Sequence, residues 1–336
     1  MEYRNLGRSG LRIAPILLGT MLFGDRTDEA EAGRIVAMAR EHGVNVLDTA
    51  DAYVGGESER MVGRLVARER GDWIIATKAA NATGTLPNDR GLSRLHLLRA
   101  AEASLARLNT GWIDLFWLHR DDHDTPQEET VEAIGALLRA GHIRYWGVSN
   151  FASWRIATII AAARAAGVPP PIASQPVYNA VSRMAEVEQL PACAALGLGV
   201  TSYSPLARGV LTGKYVPGAA PAAETRAGRG DKRLHQTEWR QESLAVAQKL
   251  AARARELGLS PAQYALAWVL KNPLVTGVIA GPRTLEQWRD YLGAPLTLPD
   301  EDEQLVDALV APGHPSTPGY TDPIYPVRGR PAGGAR

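Results

Sequence analysis

The sequence predicts an α/β protein, a closed (β/α)8 barrel of the TIM type, from three observations. Short, β-branched apolar runs alternate with longer stretches of helical period; the alternation occurs eight times; and polar residues close nearly every apolar run. Continuous apolar runs suit parallel strands buried on both faces. Eight strand–helix units fit closure into a barrel, with a doubly wound open sheet as the competing architecture.

The elements follow in order. Residues 3–6 and 11–14 flank Gly7-Arg8-Ser9-Gly10, the spacing of a hairpin ahead of the first barrel strand. Strands are predicted over 15–19, 44–48, 73–78, 113–119, 143–149, 172–175, 199–203 and 275–280. The intervening helices are predicted over 28–41, 58–68, 93–108, 127–140, 153–166, 187–196, 242–257 and 284–292. Gly43, Gly141, Gly167 and Gly258 follow four of them, as expected of residues that end helices. Residues 260–271 and 299–310 read as extra C-terminal helices, the second opening on Asp300 near its positive end. Residues 216–233, rich in Gly, Ala, Pro and Arg without an apolar period, read as a flexible insertion or as a flap over a ligand. The tail after residue 312 is expected to be partly extended, and no domain linker interrupts residues 1–336.

Composition bounds the function. The 336 residues are 45% hydrophobic and 22% charged, an ordinary globular balance. With 37 basic against 36 acidic residues the net charge is +1, so neither a nucleic-acid nor a membrane partner is expected. One cysteine, Cys193, excludes an internal disulfide and reads as an inert core residue. No apolar run approaches the roughly 18 residues of a membrane span, and no signal peptide opens the chain, so a cytoplasmic location is expected.

A barrel of this kind builds its active site at the C-terminal ends of the strands. Those ends carry Asp48 with Tyr53 just beyond, then Lys78, His119, Ser149-Asn150, Gln175, Tyr203-Ser204 and Gly281-Pro282-Arg283. Taken singly each has a duller reading: Asp48 as a turn residue, Lys78 as a solvated strand end, His119 as a core histidine, Tyr53 as a packing residue. Together Asp48, Tyr53, Lys78 and His119 make chemical sense as a catalytic unit. Hydride reduction of a carbonyl leaves an alkoxide that must receive a proton. A tyrosine with a pKa of about 10 holds that proton, and a nearby ammonium is expected to lower the pKa. Asp48 offsets the cost of placing Lys78 in a dry pocket, and His119 donates to the substrate oxygen.

These residues carry a resemblance. The chain resembles the aldo-keto reductase superfamily over roughly residues 3–310, through Leu47-Asp48-Thr49-Ala50-Asp51-Ala52-Tyr53 with Gly56, Ser58-Glu59 and Gly63, Ala76-Thr77-Lys78, and Ile113-Asp114-Leu115-Phe116-Trp117-Leu118-His119. Residues 143–151 match as well, and residues 203–215 look like the bacterial branch related to potassium-channel β subunits. The resemblance implies the same four catalytic residues, with Tyr53 as proton donor and NADPH as cofactor. It implies that Ser149, Asn150 and Gln175 hold the nicotinamide carboxamide, and that Tyr203 stacks on the ring. Gly19 and Thr20 would border the ribose with Asp48, and Ser204, Leu206, Arg208 and Lys214 would follow the pyrophosphate. Gly281 and Arg283 open the last barrel helix, facing the 2′-phosphate, with Gln287 and Asp290 near the adenine. Tyr291 stands where the family usually has Asn, and Ala280 where Pro is common.

The run His119-Arg120-Asp121-Asp122-His123-Asp124 is dense in metal-ligand types. The other strand ends offer Lys78, Ser149, Gln175 and Tyr203 rather than ligands, so a solvated loop is expected there and no metal. Pocket walls are expected from Met21, Phe23, Tyr53 and Arg120. The expected activity is NADPH-dependent reduction of a small-molecule aldehyde or ketone. A slow-turnover regulatory subunit, NAD(P)-dependent alcohol oxidation in the reverse direction and a metal-dependent barrel hydrolase are the alternatives.

Overall fold

The computed structural model describes residues 2–327. An antiparallel hairpin, β1 (Arg4–Asn5) and β2 (Arg12–Ile13), precedes eight parallel strands. These are β3 (Ile16–Gly19), β4 (Val46–Asp48), β5 (Ile74–Ala79), β6 (Ile113–Leu118), β7 (Ile143–Ser149), β8 (Ala173–Gln175), β9 (Gly199–Tyr203) and β10 (Gly277–Ala280). They close into a barrel in the order β10-β3-β4-β5-β6-β7-β8-β9. Closure leaves the barrel sheet without an edge and excludes the open-sheet alternative. Parallel register sets Leu18 beside Leu47, Asp48 beside Ala76 and Lys78 beside Trp117, which brings the strand ends to one rim.

The helices are α1 (Glu29–Glu41), α2 (Glu57–Val66), α3 (Arg94–Leu108), α4 (Gln127–Arg139), α5 (Ser153–Ala165), α6 (Gln189–Leu196), α7 (Lys232–Gln236), α8 (Gln241–Glu256), α9 (Pro261–Lys271), α10 (Leu285–Leu292) and α11 (Asp300–Leu309). Their starts follow from local chemistry. The carboxylate of Asp28 accepts the Glu31 N–H at 2.8 Å to open α1, and Ser260 and Gln263 cap each other's backbone to open α9. At the far ends Gly43 and Gly258 take φ of 77° and 70°. The short α7 had no sequence signal of its own; Asp231 caps it through the Leu234 N–H at 2.8 Å.

Two predicted strands begin two residues late for identifiable reasons. Asn45 spends its side chain on the hairpin, accepting from the Ala14 N–H and donating to the Arg12 carbonyl, so β4 starts at Val46. The carbonyls of Val275 and Thr276 accept from the Arg4 guanidinium, so β10 starts at Gly277. These bonds fasten the hairpin across the N-terminal end of the barrel, where Gly7 lies so close that a Cβ would sit 2.5 Å from the Gly199 nitrogen.

Inside the barrel Leu17, Val46, Leu115, Trp117 and Ile279 pack with Leu6 and Ile13 of the hairpin. A larger apolar shell, with Trp146 and Trp288 fully buried, joins strands to helices. Each such aliphatic side chain stabilises the fold by about 1.5–3 kcal/mol, which holds the polar rim on a rigid support. Cys193 is a buried free thiol.

Residues 216–231 run through turns into α7. Ala227 donates its N–H to the Tyr215 hydroxyl at 3.3 Å, and Arg226 pairs with Asp231 at 3.3 Å. The tail contacts the rest of the chain at several points: Ser316 donates to the Val181 carbonyl, Asp322 pairs with Arg233 at 2.6 Å, and Arg240 lies 3.9 Å over the Tyr320 ring. The part of the predicted tail beyond residue 327 lies outside the described residues. Among the described residues no helix is long and apolar enough to cross a membrane.

Candidate active site

Strand register brings four of the predicted residues together at the C-terminal rim. Lys78, fully buried at the end of β5, donates from Nζ to the carboxylate of Asp48 on β4, to the Thr49 carbonyl at 2.7 Å and to the Tyr53 hydroxyl at 3.4 Å. The Tyr53 ring stands edge-on to His119, centroids 6.0 Å apart. The turn that aims Tyr53 is strained. Val54 has φ 50° and is followed by Gly55 and Gly56 at 60° and 89°, unusual for a β-branched residue. Gly56 cannot be replaced cheaply, because its φ of 89° is one that L side chains rarely adopt.

The electrostatics of this group follow from burial. Burial pushes the Asp48 carboxyl up, against the pull of Lys78 and Gln175. Burial alone would lower Lys78, but Asp48 and Tyr53 together outweigh it and hold the ammonium charged. Burial raises the Tyr53 phenol, and Lys78 only opposes the rise. The lowering expected from Lys78 alone is outweighed by desolvation, because the same enclosure that strengthens the ammonium's field penalises phenolate. His119 is pushed down to about 3 by burial, with Lys78 and Arg120 adding to the effect, so its ring is neutral at physiological pH. A neutral imidazole, a protonated phenol and a buried ammonium thus converge on one space.

Around them the polar rim is continuous. Gln175 donates to Asp48 at 3.1 Å, Ser149 donates to the Gln175 carbonyl at 2.8 Å, and Asn150 donates to the His119 carbonyl at 2.9 Å. The Tyr203 hydroxyl donates to Asn150 Oδ1 at 2.7 Å, and burial raises its pKa. Beyond β9 the loop carries Ser204, Ala207, Arg208 and Gly209 at positive φ, a close-turning backbone.

A cationic trough continues from that loop. Lys214 is lowered by burial and then by Arg226 and Arg283; Arg226 is lowered by burial, partly relieved by Asp231, with Arg208 and Arg26 adding to the drop. At its end is a cavity of about 570 Å³ lined by Arg26, Asp28, Glu31, Arg34, Arg229, Arg283 and Thr284. Glu31 is engaged by Arg34 and the Leu285 N–H, and Asp28 caps α1. The Arg283 guanidinium has no hydrogen-bond or ion-pair partner among the described residues. Such an excess of positive charge at the start of α10 suits an anionic ligand. Arg26, Arg34, Arg226 and Arg229 had no place in the sequence-derived site, since they come from separate segments and match no spacing.

Other predicted site residues fall differently. Phe23, expected in a pocket wall, is fully buried in the main apolar shell. That is a correction: the turn after β3 directs this large apolar ring inward. Met21 is exposed. Gly19 ends β3, where a Cβ would lie 2.9 Å from Ile279. Thr20 is sealed from solvent, its hydroxyl on Ser58 and the Asp48 carbonyl. Gln287 accepts the Arg283 N–H at 2.8 Å, and Asp290 accepts from Ser260 at 2.9 Å; neither lines the arginine cavity. In the acidic run Asp121 pairs with Arg155 at 2.9 Å, and Asp122 accepts the Leu92 N–H and the Thr125 hydroxyl. Asp51 is raised to about 7 by burial and by Glu59, with Arg107 and the Ala52 N–H opposing the rise.

Comparison with known proteins gives consistent results. The family model described as "Aldo/keto reductase family" matches residues 15–311. A "Probable voltage-gated potassium channel subunit beta" of Arabidopsis thaliana is 38% identical over 320 residues, covering 92% of this chain and 97% of its own length. A protein of the same description from Oryza sativa subsp. japonica is 38% identical over 316 residues, with 93% and 96% covered. The "Uncharacterized oxidoreductase YrpG" of Bacillus subtilis (strain 168) is 38% identical over 335 residues, with 95% and 99% covered.

Proposed function

The chain belongs to the aldo/keto reductase family of oxidoreductases, and from that premise we propose that it reduces an aldehyde or ketone to the alcohol with NADPH, Tyr53 giving the proton. The observation that carries this reading is Lys78, buried between the Asp48 carboxylate and the Tyr53 hydroxyl. Bound NADPH supplies the hydride. Everything else is work for side chains. Burial keeps Tyr53 protonated until an oxyanion develops beside it, and Lys78 then favours the phenolate left behind. Neutral His119 donates one hydrogen bond to the same oxygen and orients the carbonyl. Asp48 keeps the ammonium affordable in a dry site.

The cofactor fits the residues present. Ser149, Asn150 and Gln175 offer amide and hydroxyl groups to a carboxamide, and Tyr203 offers a flat ring beside them. Arg208, Lys214, Arg226 and Arg283 suit the phosphates of a dinucleotide. Arg283 is the residue expected to read the 2′-phosphate, because its guanidinium is unmatched. Arg283→Ala is expected to weaken NADPH by about ten- to a hundredfold, the value of one charge-assisted contact, and to leave NADH almost unchanged. Titrating the tryptophan fluorescence with each nucleotide checks it; equal losses for both would remove Arg283 from that role.

Residues 216–233 join the trough through Arg226 and Arg229, so bound NADPH should hold them. Arg229 and Lys232 are exposed and should be cut quickly by trypsin in free protein and clearly more slowly with NADPH. Equal rates would make the segment independent of the cofactor.

A second reading is favoured by the descriptions of the two plant relatives. A regulatory subunit would bind NADPH tightly and turn over poorly, and steady-state rates with a range of carbonyls separate the two.

A further inference from the structure

We propose that Asn81 is a positioning residue that fixes the tautomer of His119, so that the ring presents its Nε2 proton to the substrate oxygen. The inference rests on the carbonyl-reductase reading and extends it to a residue outside the Asp48, Tyr53, Lys78 and His119 group.

Asn81 lies two residues beyond the end of β5, its Nδ2 3.0 Å from Nδ1 of His119. An amide nitrogen can only donate, so Nδ1 is the acceptor. A neutral imidazole carries one proton, and that proton must then sit on Nε2. With the opposite tautomer His119 would offer a lone pair to a carbonyl oxygen, and the two would repel. The backbone is bent to make the contact. Ala80 holds φ 124°, a conformation L residues rarely adopt, and is 2% exposed. Its carbonyl accepts the Gly91 N–H at 3.0 Å, and the Ala79 carbonyl accepts the His119 N–H at 2.8 Å. Strain of this sort persists only where neighbouring contacts hold it, and it gathers at functional sites. The charged and titratable groups facing the ring are Tyr53 from the turn after β4, Lys78 from β5 and Arg120 beside it. None of them bonds to Nδ1, so among the described residues Asn81 sets the tautomer.

Asn81→Asp reverses the chemistry with little change of shape. A carboxylate only accepts, so it draws the proton to Nδ1 and raises the imidazole's pKa. The full-length protein is labelled with ¹⁵N at histidine, and the His119 signals are assigned with His119→Gln. Wild type is expected to show a pyrrole-type Nε2 and a pyridine-type Nδ1 at neutral pH. Asn81→Asp is expected to show the reverse at alkaline pH, and Asn81→Ala a mixture. With a carbonyl substrate, Asn81→Asp should lose about 10²- to 10³-fold in kcat at alkaline pH, the cost of one oriented donor. The loss should shrink as pH falls and the ring gains its second proton, restoring the Nε2–H. Wild type should lack that limb, since burial holds its imidazole far below the usual histidine range. A protonated Nδ1 in wild type, or an unchanged nitrogen pattern in Asn81→Asp, would overturn the assignment. A loss of kcat equal at all pH values would overturn it too. The nitrogen pattern is read without substrate, so a wild type that reduces no carbonyl counts against the reductase reading alone.

Discussion

Tyr53→Phe is expected to abolish carbonyl reduction, a loss of at least about 10²- to 10⁴-fold in turnover, while nucleotide affinity stays nearly unchanged. The substitution removes one oxygen and keeps the ring that stands edge-on to His119. The hydroxyl is needed only as the alkoxide forms, so its loss belongs in kcat rather than in binding. The two quantities are separable by steady-state kinetics and by fluorescence titration with NADPH. Retained turnover would transfer the proton to another group and sink the assignment of Tyr53.

Lys78→Met is expected to be comparably inactive and, unlike Tyr53→Phe, measurably less stable. The ammonium is fully buried and Asp48 is 3% exposed, so removing one partner strands the other. Breaking a buried pair in this way costs about 3–5 kcal/mol, readable from the midpoint of urea unfolding. Pairing it with Asp48→Asn should recover most of the stability and none of the turnover, which separates the structural role of the ion pair from its chemical one. The tyrosine would also lose the cation bonded to its hydroxyl, so any residual activity should shift its basic limb upward in pH. A Lys78→Met enzyme with a normal pH–rate profile would contradict the coupling between the two residues.

Much of this was legible in the sequence because the barrel repeats one simple unit. Eight apolar runs with helical stretches between them specify parallel strands, and parallel strands place their final residues on one rim. Asp48, Lys78, His119, Gln175 and Tyr203 could be named on that ground. What escaped the sequence depends on distance between segments. Arg26, Arg229 and Arg283 line one cavity yet lie in three separate loops, and no spacing joins them. Asn81 reads as an ordinary loop polar residue until the strained Ala80 turns it onto His119. The direction of the Tyr53 shift is not legible from the sequence, because charge pairing is visible there and desolvation is not. Phe23 was misplaced for a similar reason, since the path of the turn after β3 decides whether that ring faces the pocket or the core.

The central claim is turnover of a carbonyl at the expense of NADPH, and the most direct measurement is loss of NADPH absorbance with wild-type protein and a panel of aldehydes and ketones. Aromatic, aliphatic and sugar aldehydes and bulky ketones should all be included. The expected result is steady-state consumption of many equivalents of NADPH per protein with at least one class, absent in Tyr53→Phe. Tight NADPH binding with at most a single slow turnover across the whole panel would contradict it.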